Sequence, residues 1–131
     1  MSRATVEADI RTNLGLVPSF IGDVPDPLIE TEWASFKTLV LTDTVIPHKY
    51  KELIGLAVSG ATRCRYRVYF HTEAARLFGA TEDEINEAAL VAKNTMGWST
   101  YMNAHAYDYD VFKAEFDQIA AHVRETTKVA A

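Results

Sequence analysis

The stretch Lys51–His71, KELIGLAVSGATRCRYRVYFH, decides how the rest of the 131-residue chain is read. Pro47 suits the start of a helix, Leu53, Ile54, Ala57 and Val58 carry its apolar positions, and Gly60 is its stop signal. Thr62 and Arg63 then lead into a second helix that begins near Cys64. Tyr66, Phe70, Ala74 and Leu77 are the expected buried face of that helix, and Gly79 ends it. So short a turn makes the two helices antiparallel neighbours.

The flanking sequence repeats this pattern. Upstream, Val6, Ile10 and Leu14 stand four apart in a helix over Thr5–Leu14 that Gly15 closes. The segment LGLVPSFIGDVPDP has two glycines and three prolines and predicts no regular element, although Leu16, Val17, Phe20 and Ile21 should pack it down. From Pro27 to about Leu41 the residues Leu28, Ile29, Trp33, Phe36, Leu39 and Val40 recur at helical intervals, and Thr42–Ile46 connects onward. Downstream, Thr81-Glu-Asp-Glu84 is a capping box. The helix it opens carries Ile85, Ala88, Ala89 and Val91 and should end near Lys93 or Asn94, with Gly97 as a further break. A short helix over Trp98–Ala106 follows. Asp108 or Asp110 caps a last helix whose Val111, Phe112, Phe116, Ile119, Ala120 and Val123 should face inward, and Thr126–Ala131 should fray. No run alternates with period two. The expectation is one all-helical domain over residues 1–131, a bundle of about six or seven helices with an antiparallel pair at its centre.

Composition narrows the function. A net charge of −5 argues against a nucleic-acid partner, which usually demands a basic excess. One cysteine cannot form an internal disulfide and suits a reducing compartment. No apolar run resembles a signal peptide or approaches membrane-spanning length, so the expectation is a soluble, cytoplasmic protein without a membrane partner. His48, His105 and His122 show no ligand spacing, and the glycines form no phosphate loop, so neither a metal nor a cofactor is expected. Trp98, Tyr101, Tyr107 and Tyr109 read as core or subunit-interface packing.

One constellation stands apart. At about 100° per residue, Cys64, Arg67 and His71 fall within roughly 60° of each other on one helix. Glu52 comes from the preceding antiparallel helix and can reach the same place. A thiol at a helix N-terminus feels the positive end of the dipole, Arg67 adds a cation, and both favour the thiolate. Glu52 and His71 could hold each other in one tautomer and move a proton. The bland alternatives are a small buried Cys64, a satisfied core His71 and a solvated arginine face.

The stretch ELIGLAVSGATRCRYRVYFHTEAARLFGATEDEINEA resembles the alkylhydroperoxidase D (AhpD)-like branch of the carboxymuconolactone decarboxylase superfamily. That pattern is a glutamate, eleven residues, Cys-x-x-Cys, three residues and a histidine, followed by a helix and a Gly-Ala-Thr-x-x-Glu-Ile turn. Glu52, Cys64 and His71 fall on it at the right spacing, as do Gly79-Ala80-Thr81 and Glu84-Ile85. Leu16-Val17-Pro18-Ser19-Phe20 and Gly97-Trp98-Ser99-Thr100 also look like this branch. The resemblance implies an all-helical subunit of a homo-oligomer, commonly a trimer or hexamer, that acts on a small molecule. In redox-active relatives the second cysteine attacks peroxide and the first resolves it. Here the second position is Arg67, so the intramolecular disulfide of that cycle cannot close. Catalytic Glu52, Cys64 and His71, with Arg67 binding substrate, then suit either one-cysteine peroxide chemistry resolved by an external thiol, or acid–base chemistry on a small carboxylate or lactone. A chemically silent oligomeric binding protein is the third reading.

Overall fold

A computed structural model describes the chain through Val129, with side chains described through Thr127. Its elements are α1 (Arg3–Leu14), α2 (Ser19–Gly22), α3 (Asp26–Val40), α4 (His48–Ala61), α5 (Arg65–Leu77), α6 (Glu82–Ala104) and α7 (Tyr109–Val129). All regular structure among the described residues is helical, as the spacing predicts.

Two compact units divide the chain, Met1–Ala92 and Lys93–Ala131, with the boundary inside α6. In the first unit, Val6, Ile10, Ile21, Ile29 and Trp33 form one buried cluster where α1, α2 and α3 meet. Trp33 cannot bury its indole N–H unpaired, and donates it to Asp9 Oδ2 at 2.7 Å, while Lys37 closes on the same carboxylate at 2.9 Å. A second cluster of Leu56, Ala75 and Ile85 ties α4, α5 and the start of α6 together. The capping box forms as expected. Glu84 N–H donates to Thr81 Oγ1 at 3.1 Å, and Thr81 N–H donates to Glu84 Oε2 at 2.8 Å. Lys49 reaches Glu84 Oε1 at 2.8 Å and so fastens the first turn of α4 to α6.

Four expectations change. The Gly- and Pro-rich segment is not wholly irregular, because Pro18, with its preset φ of −60°, stands as N-cap of the single turn α2 and buries Ile21. Gly97 does not break the chain. α6 runs through it to Ala104, since one helical glycine costs only about 1 kcal/mol relative to alanine, too little to stop a long helix. α7 leaves its apolar stripe uncovered, with Val111, Phe112, Phe116, Ile119 and Val123 all exposed. Its helix runs to Val129, and the expectation of a frayed tail falls in part on Ala130 and Ala131, which lie outside the described residues. The fourth change concerns the central pair. α5 buries His71 and Ala75, not Tyr66 and Leu77, which are 73% and 78% exposed. α4 likewise buries His48, Glu52, Leu56 and Ser59 and exposes Ile54 and Val58. Polar side chains take the inside here because they satisfy one another across the pair, which removes the usual penalty for burying them.

Candidate active site

The turn between α4 and α5 sets the site. Arg63 N–H donates to the Gly60 carbonyl and Cys64 N–H to the Ser59 carbonyl, at 3.2 and 3.0 Å. These are the two bonds of a Schellman motif, and they place Arg63 in the left-handed region at φ 56°. The same motif closes α5, but there Gly79 takes the left-handed position at φ 86°. The reversal makes Cys64 the N-cap of α5, half-buried, with no hydrogen bond from its side chain to the helix.

From that start α5 carries His71 inward against α4. His71 Nδ1 lies 2.7 Å from Glu52 Oε2. The other carboxylate oxygen, Oε1, lies 3.1 Å from His48 Nε2, one turn earlier on α4. All three residues are buried, Glu52 to 1% exposure. A carboxylate so far from water survives only when hydrogen-bonded, and two imidazoles supply the bonds. A carboxylate can only accept, so each imidazole turns an N–H toward it: Nδ1–H from His71 and Nε2–H from His48. The lone pairs then sit on His71 Nε2 and His48 Nδ1. Among the described residues no buried side-chain nitrogen or oxygen lacks a partner, and neither of these two atoms has one within the chain. Both therefore keep some access to solvent.

Gly55 makes the approach possible. A Cβ built on it would stand 2.5 Å from both ring nitrogens of His71. Phe70 meets the His71 ring edge to face at 5.1 Å, and Phe78 stacks on His48 at 3.4 Å between ring centres.

The structure thus brings Glu52 and His71 together and sets Cys64 about 10 Å back along the same helix, two turns away. Arg67 does not join them. Its guanidinium lies over the Phe70 ring, 4.6 Å from its centre, and it makes no ion pair among the described residues. It borders an open groove of about 1010 Å³ lined by Phe20, Arg65, Tyr66, Tyr69, Phe70 and Leu77. His48 escaped the sequence reading, which tested it only for spacing to other histidines. The available signal was its position one turn before Glu52. Among the described residues no set of three His, Cys, Asp or Glu side chains is placed to hold a metal ion. No helix is long and apolar enough to cross a membrane.

Residues 27–108, which contain every member of this site, match the family model described as carboxymuconolactone decarboxylase. Over 77 residues the chain is 30% identical to uncharacterized protein 4 in the cox locus of Paracoccus denitrificans, covering 59% of this chain and 69% of that protein. The crystal structure of the alkylhydroperoxidase AhpD core from Rhodospirillum rubrum superposes with a TM-score of 0.70 at 26% identity, over 83% of this chain and 84% of that one. The all-helical, AhpD-like architecture expected from the sequence is the one observed.

Proposed function

The chain belongs to the carboxymuconolactone decarboxylase family, and on that premise we propose that it is an AhpD-like small-molecule enzyme driven by the Glu52–His71 relay. The observation that carries this reading is the buried Glu52 carboxylate, held 2.7 Å from His71 Nδ1 while His71 Nε2 is left free. Orienting one imidazole nitrogen with a carboxylate makes the other a defined base toward substrate.

In the AhpD-like form of the reaction, the Cys64 thiolate attacks the outer oxygen of a hydroperoxide. The S–O bond forms as the O–O bond breaks, and the departing alkoxide takes back, through solvent, the proton that His71 Nε2 accepted from the Cys64 thiol, and leaves as an alcohol. An external thiol then displaces water from the Cys64 sulfenic acid, and a second thiol releases Cys64 as the external pair becomes a disulfide. The position of Cys64 at the N-terminus of α5 supports this role, because the helix dipole favours the thiolate there.

A specific observation favours a second form. Arg67 stands where a second cysteine would be needed, and among the described residues its guanidinium makes no ion pair at the edge of an open groove. It could hold a substrate carboxylate bidentately while His71 moves a proton, giving non-redox chemistry on a small carboxylate or lactone. Homo-oligomerisation, as a trimer or hexamer, belongs to the same proposal and is supported by the exposed apolar stripe of α7. The single unpaired cysteine suits work in the cytoplasm.

The test is turnover of cumene hydroperoxide with dithiothreitol, and of small lactones without it, in Glu52→Gln, Cys64→Ser and Arg67→Leu. Glu52→Gln should lose both activities, and full turnover in a folded Glu52→Gln protein would overturn the relay. Loss of peroxide turnover in Cys64→Ser selects the thiol form. A silent Cys64→Ser beside a raised KM in Arg67→Leu selects the acid–base form.

A further inference from the structure

His48 is buried to 6% exposure and lies outside the Glu52–His71 pair that the proposed chemistry uses. Its backbone N–H is tied to Asp43 Oδ1 at 2.7 Å, which anchors the first residue of α4. Its ring is stacked on Phe78 from the end of α5, with the two planes 20° apart. Clamped from both sides, it points Nε2 at Glu52 Oε1. The groups around it are few. Glu52 lies on its own helix, Asp43 in the preceding connector, His71 on α5 across the shared carboxylate, and the Lys49–Glu84 pair beside it toward α6.

We propose that His48 is the positioning residue of the relay, locking Glu52 so that Oε2 meets His71 Nδ1. The inference rests on the relay reading above. The geometry supplies its reasons. A glutamate carboxylate held by one partner can rotate about its last torsion, whereas one held at both oxygens by ring nitrogens cannot do so without breaking a bond. A fixed Oε2 fixes the Nδ1–H tautomer of His71 and leaves Nε2 as the base.

The test uses the full chain and needs no identified substrate. Long-range 1H–15N spectra of the imidazoles report the tautomer directly. In the wild type His71 should sit in the Nδ1–H form. His48→Phe keeps the stack on Phe78 but removes the ring nitrogens. It should give a mixture of His71 tautomers. His48→Gln, whose amide can still donate to Oε1, should restore the Nδ1–H form. Peroxide or lactone turnover, whichever the protein shows, should fall about tenfold or more in His48→Phe and recover in His48→Gln. Thermal melts of both variants separate loss of fold from loss of position. An unchanged His71 tautomer in folded His48→Phe would overturn the inference. That outcome differs from failure of the relay itself, in which Glu52→Gln would keep full turnover.

Discussion

Gly55 and His71 face each other with no room for a side chain between them: a Cβ on Gly55 would lie 2.5 Å from Nδ1 and from Nε2 of the imidazole. His71 is rooted in α5 and bonded to Glu52, which stands one turn before Gly55 on α4. The small residue on one helix is therefore what admits the base on the other.

Gly55→Ala turns this into a signed prediction. In a helix where nothing faced the glycine, alanine would stabilise by about 1 kcal/mol. Here the imidazole must move or the helices must separate, and overpacking of this kind costs about 1–3 kcal/mol. The melting temperature should fall, and turnover should drop more steeply than stability because the Nδ1–Glu52 bond is lost. A rise in melting temperature with full activity would show that the ring is not held against α4.

The Schellman turn before α5 predicts a change in the other direction. Arg63 occupies a left-handed position at φ 56° that glycine fills at the far end of the same helix. Placing a side chain there costs about 1–2 kcal/mol. Arg63→Gly should therefore stabilise the chain by up to about 1 kcal/mol, less than the full strain because glycine also loosens the unfolded chain. Denaturant titration measures it. A loss of stability would mean that the Arg63 side chain makes a compensating contact.

Helical periodicity carried most of the fold, because apolar residues three and four apart mark a buried stripe whatever covers it. Val6 and Ile10 on α1, and Ile29 and Trp33 on α3, are buried as their spacing predicts. The same logic misplaced the inward face of α5. Tyr66 and Leu77 form an apolar stripe that no other element of the first unit covers, whereas the helix pair closes over Glu52, His48 and His71. A count of apolar residues cannot see that two imidazoles and a carboxylate cancel one another's burial cost. Glu52 and His71 were legible through their spacing around Cys64. The direction of Arg67 was not, because a long cationic side chain at the edge of a stripe can turn toward an aromatic ring as readily as toward a thiol.

Asp9 should contribute to the acid sensitivity of the fold. The Trp33 indole N–H and the Lys37 ammonium both hydrogen-bond its carboxylate, and they hold its pKa below the ordinary value of 3.8. A carboxyl lowered on folding contributes stability that is fully present above its unfolded pKa and is lost as pH falls through the folded value. Asp9→Asn should therefore melt at a lower temperature than wild type at neutral pH. The gap should narrow as the pH falls below 3.8 toward the lowered folded value. Thermal melts between pH 2 and pH 7 would check this, and a gap that does not change with pH would assign the effect to packing around Trp33 instead.

The exposed stripe of α7 makes the last prediction. Phe112, Phe116, Ile119 and Val123 recur at spacings of three and four and are between 41% and 57% exposed. Contiguous apolar surface of this kind on a soluble helix marks an interaction face, since leaving it in water forgoes roughly 25 cal/mol for every Å² that could be buried. If copies of the chain associate through it, light scattering on the wild type should give a mass that is a multiple of 14.6 kDa. Phe116→Glu places a charge at the middle of the stripe, where burial would be prohibitive. It should shift the protein toward smaller species without altering its helical content. A wild type that remains at 14.6 kDa across the micromolar range would remove self-association through this face. A Phe116→Glu protein of unchanged oligomeric mass would assign the interface to another surface, with the groove beside Arg67, Tyr69 and Leu77 the next to mutate.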